Sequence, residues 1–169
     1  DTSTNDMVSI FATGAAVQWL RDGLGIINEA SELESLALEC ETTGDVYFVP
    51  AFTGLGSPWW DPYARGTLIG LTRGTAKPEI ARAAIESMVF QTRDVIDAMR
   101  SGSGRELKSL RVDGGASVMN LLLDLQADQL QVPVSRPLVH EMTALGVAHL
   151  AGLSHGFWDS LSEISNLWG

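Results

Sequence analysis

The stretch RVDGGASVMN, residues 111–120, puts an acid, two glycines and an alanine at the joint between a strand-like and a helix-like segment. Two chemistries fit Asp113-Gly114-Gly115-Ala116. A tight turn needs small residues, because glycine reaches positive φ and permits close packing. Alternatively, Gly115 and Ala116 leave bare backbone for a flat or anionic ligand, with amides at the start of the following helix facing a phosphate. The residues alone leave both readings open. The common phosphate loops are absent, since there is no Gly-x-x-x-x-Gly-Lys-Ser/Thr and no Gly-x-Gly-x-x-Gly after a strand.

Other side chains offer less. His149 and His155 stand six apart, off a single helix face, and with His140 they make up all three histidines. No second cysteine or nearby acidic cluster completes a metal set, so packing or surface roles are expected. Asp94 and Asp97 read as solvated helix carboxylates. Ser117 has no base in reach by sequence, which leaves a nucleophile reading without support. Trp59 and Trp60 lie in a Pro/Gly loop and are expected to form a satellite apolar cluster that pins it.

The elements that must position these residues alternate strand and helix. Met7–Ala12 reads as a short strand. Gly14–Leu24 reads as a helix with Val17, Leu20 and Leu24 at helical spacing, ended by Gly23 and Gly25. Ser31–Glu39 is a second helix with Ser31 as N-cap and Leu33, Leu36 and Ala37 as its apolar stripe. Val46–Phe52 is a strand whose Pro50 marks an end or an edge. Residues 53–66 (TGLGSPWWDPYARG) are loop, and Thr67–Leu71 is strand. Thr75 then caps a long helix with Pro78 in its first turn. Ile80, Ala84, Met88, Val95 and Met99 share a face of that helix, which runs to about Arg100, and SGSG (101–104) reads as a flexible break. A βα unit follows: strand Ser109–Val112, the glycine turn, and a helix over about Val118–Gln131. Val132–Ser135 is a further strand, Thr143–Ala151 starts a long small-residue helix, and Asp159–Asn166 begins another. The class is α/β with a mixed sheet flanked by helices.

Composition bounds the rest. A chain of 169 residues, 45% hydrophobic and 19% charged, is enough for one domain with a real core. A net charge of −10 argues against broad binding to nucleic acid or an acidic membrane. It leaves room for a local anion site built from backbone amides. Cys40 is the only cysteine, which fits a reducing, cytoplasmic setting. No apolar run approaches the ~20 residues of a membrane helix. The polar start and the uncapped finish suggest a domain cut at both ends from a longer protein.

Several stretches taken together resemble the FGGY family of carbohydrate kinases, and among its members the glycerol kinases. They are VYFVPAFTGLGSPWWDPYARGTLIGLTRGT, Gly66-x-Leu68-x-Gly70-Leu71 followed by Glu79-Ile80-x-x-Ala83-Ala84-Ile85-Glu86, GAAVQWLRD (14–22), ESMVFQTRDVIDAM (86–99), RVDGGA (111–116) and TALGVAHLAG (143–152). Their order along the chain, from Met7 to Trp168, makes the resemblance more specific than any single motif.

The resemblance implies a ribonuclease-H-like, actin-like ATPase domain: most of the C-terminal, nucleotide-holding half of a two-domain kinase that transfers phosphate from ATP to glycerol. Gly14 and Gln18 would lie beside the nucleotide, and Gly115 and Ala116 would pack against the adenosine and its phosphate end. Met119-Asn120 stands where the family usually has two asparagines. Met119 would cover the base by apolar contact without the amide hydrogen bonds. TALGVAHLAG would be a hinge helix. The catalytic aspartate, the glycerol site and the Mg²⁺ ligands would lie outside this chain, leaving it inactive alone. Homodimers or homotetramers are the expected assemblies. The alternatives are another sugar kinase of the family, acting on xylulose or gluconate, and a non-catalytic domain that kept the fold.

Overall fold

A 27-residue helix, α3 (Lys77–Ser103), is the member against which most other elements pack. Its Ala81, Ala84, Ile85, Met88 and Val95 are buried at helical spacing, so one apolar stripe faces inward. The small residues Ala81, Ala83 and Ala84 let neighbouring backbones approach. At its start the Glu79 carboxylate accepts from the Ala76 N–H at 2.9 Å, satisfying one of the donors a helix leaves open. Thr75 was the expected cap. Its hydroxyl instead accepts from the Thr72 N–H at 2.9 Å and closes the preceding turn. The far end also differs from expectation. Ser101–Ser103 stay helical, with the Ser103 hydroxyl donating to the Met99 carbonyl at 2.8 Å, and the chain leaves the helix at Gly104. The Ser103 hydroxyl thus finds its partner within the helix, where composition suggests a break.

The computed structural model describes residues 13–137 and 142–165. The strand expected at Met7–Ala12, His140, and the residues from Asn166 onward lie outside them. The first described helix, α1 (Thr13–Gln18), runs into a wider turn over Trp19–Gly23, with the Leu24 N–H bonded to the Trp19 carbonyl at 3.0 Å. A Cβ on Gly23 would sit 2.7 Å from the Trp19 ring, so the turn needs glycine there. Leu20 is fully buried, while Leu24 is half exposed because the wider turn rotates it off the inward face. The second helix, α2 (Glu32–Ala37), buries Leu33 and Ala37 against α3. Ser31 precedes it but makes no side-chain cap. The Glu32 carboxylate accepts the Asn28 N–H at 2.8 Å, and that bond holds its pKa below the usual carboxylate value. Arg82 of α3 fastens the end of α2 by donating to the Cys40 carbonyl at 3.0 Å.

Strands β1 (Tyr47–Val49) and β2 (Thr67–Ile69) pair antiparallel, with Phe48 opposite Leu68. Pro50 ends β1, since proline has no N–H to give a ladder. Phe48 stacks on Trp19 at 5.4 Å, and Phe52 joins them. Strands β3 (Leu110–Arg111) and β4 (Val134–Ser135) pair parallel, joined through α4 (Asn120–Leu130), the kind of crossover parallel strands require. Arg93 of α3 donates to the Gln129 carbonyl at 2.8 Å and ties α3 to the end of α4. The chain continues through α5 (Met142–Ser154) and α6 (Leu161–Ser165). His149 packs edge-on against Trp158 at 5.8 Å, which fits the packing role expected for it. Among the described residues the α/β class holds, with one antiparallel and one parallel strand pair rather than a single ladder.

Leu20, Leu33, Val46, Ile85 and Met88 are the largest fully buried side chains. Each contributes about 1.5–3 kcal/mol by leaving water. Together they fix α1, α2, β1 and α3 in one core, and α4 joins it through Met119 and Leu122.

Candidate functional site

A cleft of about 720 Å³ opens between α1, the start of α2, the end of β3 and the turn that leads into α4. The local structure of that turn explains its shape. The Val112 N–H bonds to the Ser135 carbonyl at 2.9 Å, so the strand pairing holds up to the residue before Asp113. Gly114 then takes φ 91° and ψ 174°, a region open essentially to glycine alone. A single tight helical turn, Gly115–Val118, follows. The Gly114 carbonyl accepts from both the Ser117 N–H at 3.0 Å and the Ser117 hydroxyl at 2.7 Å. Ser117 is buried and its hydroxyl is occupied in shaping the turn, which agrees with the absence of a nucleophile signal. The Arg136 guanidinium donates to the Ser117 and Val118 carbonyls at 3.0 and 2.9 Å, closing the far end. The turn is therefore held at both ends by charge-assisted or hydroxyl bonds before any ligand arrives.

Gly14, Gln18, Gly115, Ala116 and Met119 all line this cleft, and Asn120 does not. Asn120 opens α4 and is exposed on another side. An added Cβ would meet nothing within 4 Å at Gly14, Gly114 or Gly115. Gly114 is required by its backbone angles, but no described protein atom requires glycine at positions 14 and 115. Their bare backbone leaves room in the cleft.

One of the helix amides is already committed. The Leu121 N–H, in the first turn of α4, is already bonded to the Glu34 Oε1 of α2 at 2.7 Å. The preceding turn, Gly115–Val118, also begins with amides that have no partner inside their own helix. Glu34 lines the cleft together with Arg21, whose guanidinium pairs with the neighbouring Asp22 at 2.7 Å. That pairing lowers the pKa of Asp22 and raises that of Arg21.

Sequence reasoning missed Glu34, Gln126 and Arg136. Glu34 meets its partner 87 residues away, a separation no local pattern reveals. Gln126 also lines the cleft. It is buried among leucines and donates through Nε2 to the Thr92 hydroxyl at 3.3 Å, with its Oε1 unpartnered. An amide on the apolar side of LLLDLQADQL was the only available signal. Cys40 is partly buried, which pushes its thiol pKa up and away from thiolate reactivity. Among the described residues no group of three or more His, Cys, Asp or Glu side chains could hold a metal ion.

The tryptophan loop differs from its expected apolar cluster. Trp59, Trp60 and Tyr63 are all largely exposed. The loop is pinned by polar bonds: Asp61 accepts from the Tyr63 and Ala64 N–H groups at 2.8 and 3.1 Å, and Trp59 Nε1 donates to Asp94 at 3.2 Å. Asp94 is therefore an anchor for the loop and not only a solvated carboxylate.

Comparison with known proteins gives this arrangement a family. Residues 7–155 match the model of the C-terminal domain of the FGGY family of carbohydrate kinases. The chain is 59% identical over 160 residues to a glycerol kinase of Trichlorobacter lovleyi, covering 95% of this chain and 32% of that protein. A glycerol kinase of Saccharolobus islandicus matches with the same identity and coverage. The chain thus spans about a third of the length of the curated relatives it matches. Among solved structures, Plasmodium falciparum glycerol kinase with ADP superposes with a TM-score of 0.81 at 36% identity, over 92% of this chain and 31% of that one. A xylulose kinase from Lactobacillus acidophilus superposes with a TM-score of 0.76 at 26% identity, over 92% and 32%. On these matches the chain belongs to the FGGY family of carbohydrate kinases.

Proposed function

We propose that this chain forms the nucleotide-holding half of an ATP-dependent glycerol kinase, an enzyme that converts glycerol to sn-glycerol 3-phosphate. The observation that carries this reading is the 59% identity to glycerol kinases over 95% of the chain. Xylulose and gluconate kinases of known structure reach 26% and 29%, against 36% for the Plasmodium falciparum glycerol kinase, so glycerol is favoured over a ketose or sugar acid. The fold assigned under this reading is the ribonuclease-H-like domain of actin-like ATPases.

The cleft supplies the chemistry of holding a nucleotide. Gly14 and Gly115 let the ligand approach backbone, and the amides at the start of the 115–118 turn favour the phosphate end. Met119 and Leu122 give an apolar wall for the base, and Gln18 lines the same space. In the transfer step a glycerol hydroxyl oxygen attacks the γ-phosphorus in line, and the bond from phosphorus to the leaving ADP oxygen breaks. The hydroxyl proton passes to a base that, under this reading, lies outside this chain. Its residues bind and orient the donor. A Mg²⁺ ion would neutralise the donor phosphates, with its protein ligands expected outside this chain; among the described residues no group of three or more His, Cys, Asp or Glu could hold a metal ion. The working enzyme would be a cytoplasmic homodimer or homotetramer that binds neither nucleic acid nor membrane.

Steady-state kinetics of the full-length protein on a panel of polyols, ketoses and sugar acids tests the reading. Glycerol should give the highest kcat/KM, by at least about tenfold, corresponding to roughly 1.4 kcal/mol of transition-state discrimination. A ketose or sugar acid as the preferred acceptor would overturn it. The 169-residue chain by itself should release no ADP in response to glycerol.

A further inference from the structure

Glu34 stands in an unusual place for a nucleotide cleft, because it brings a carboxylate to the wall of a site proposed to hold phosphates. Its Oε1 is committed to the Leu121 N–H at 2.7 Å, and its Oε2 has no protein partner among the described residues. The side chain is only partly buried and lines the cleft, so a ligand can reach the second oxygen. The same cleft is lined by Ala30, Ser31, Met119 and Leu122, and by two cations, Arg21, which pairs with Asp22, and Arg111. Like charges repel strongly in a partly desolvated cleft, so phosphates cannot rest against this carboxylate. The nucleoside end must lie there, and the phosphates must lie toward the Gly115 backbone.

We propose that Glu34 recognises the nucleoside: Oε1 anchors the start of α4 while Oε2 accepts a hydrogen bond from a donor on the ligand. An ionised carboxylate can only accept. A nucleoside offers two kinds of donor, the exocyclic amine of an amino base and the ribose hydroxyls. The bond couples ligand binding to the seating of α4, since one carboxylate serves both. The inference rests on the nucleotide reading above and adds which side chain selects the nucleoside.

The test is calorimetric titration of the full-length protein with four probes: ADP, inosine diphosphate, and the 2′-deoxy and 3′-deoxy forms of ADP. Inosine diphosphate carries an oxygen where adenine carries the amine, and each deoxy form lacks one ribose hydroxyl. At least one analogue should bind about tenfold or more weakly than ADP, the size expected for one hydrogen bond to a charged acceptor. The analogue that loses affinity identifies the donor. Glu34→Gln keeps a carbonyl for the Leu121 amide but replaces the second acceptor with an NH₂ group. In that variant the same ratio should fall below about threefold. Equal binding of all four probes by the native protein overturns the proposal without any variant. So does a variant that weakens every nucleotide alike, the mark of a purely structural carboxylate. If the native protein discriminates among nucleotides but Glu34→Gln keeps the same ratios, another residue selects and the proposal fails while the nucleotide reading stands. Absence of ADP binding by the native protein would remove both.

Discussion

Two glycine-bearing regions of this molecule look alike in sequence and differ in what surrounds them. In the hairpin region, 47–70, glycine is demanded by the protein itself. A Cβ on Gly70 would lie 1.9 Å from the Asp45 carbonyl oxygen, and one on Gly54 would lie 2.7 Å from that of Asp61. In the turn after β3, a Cβ on Gly114 or Gly115 would meet no atom within 4 Å. The first region uses glycine to let the chain touch itself. The second leaves space that the described protein does not fill. At Gly115 neither crowding nor a positive φ demands glycine, and under the nucleotide reading that open backbone is where the ligand approaches.

The largest expected effect that could break this comparison is in the hairpin. Gly70→Ala should destabilise the protein by about 3 kcal/mol or more, because both the positive φ and the backbone clash oppose it. Denaturant melts would read this, and an unchanged midpoint would mean the two regions do not differ as described. Gly114→Ala should cost less, about 1–3 kcal/mol, from backbone angles alone. A loss equal to that of Gly70→Ala would imply a contact at the turn that the geometry lacks. Trp59→Phe should cost about 0.5–1.5 kcal/mol, the net worth of its bond to Asp94, and should leave nucleotide affinity unchanged. Gly115→Ala sharpens the contrast most finely, with stability expected within about 0.5 kcal/mol of the native value in the same melts.

Much of the fold was legible because apolar spacing is written locally. The stripe of α3 through Ala84, Met88 and Val95 is buried as its periodicity requires. The βα unit is also legible, since a strand, a glycine turn and a helix follow each other directly. What the sequence hid depends on contacts that are not local. Glu79, and not Thr75, caps α3, because a carboxylate three residues inside the helix reaches back further than a neighbouring hydroxyl committed elsewhere. Ser101–Ser103 look like linker and are helix. The Trp59–Tyr63 aromatics suggest an apolar cluster, yet they are exposed and their loop is held by Asp61 and Asp94.

The cleft shows the same division. Gly14, Gln18, Gly115, Ala116 and Met119 belong to two separated motifs that the fold brings to one cleft. Asn120 follows Met119 in sequence but does not line the cleft, since it opens α4 while Met119 is extended at the junction before it. Glu34 was invisible to any local pattern, since its partner is the backbone of a helix far along the chain.

The central claim is that the space beside Gly115 belongs to a nucleotide, and calorimetric titration of ADP into the full-length native protein and its Gly115→Arg variant tests it most directly. Thermal melts of both should run alongside. The account predicts that the variant melts with the native protein while its ADP affinity falls by about 100-fold or more, the equivalent of roughly 2.7 kcal/mol. Retention of native ADP affinity by a folded Gly115→Arg protein would contradict it.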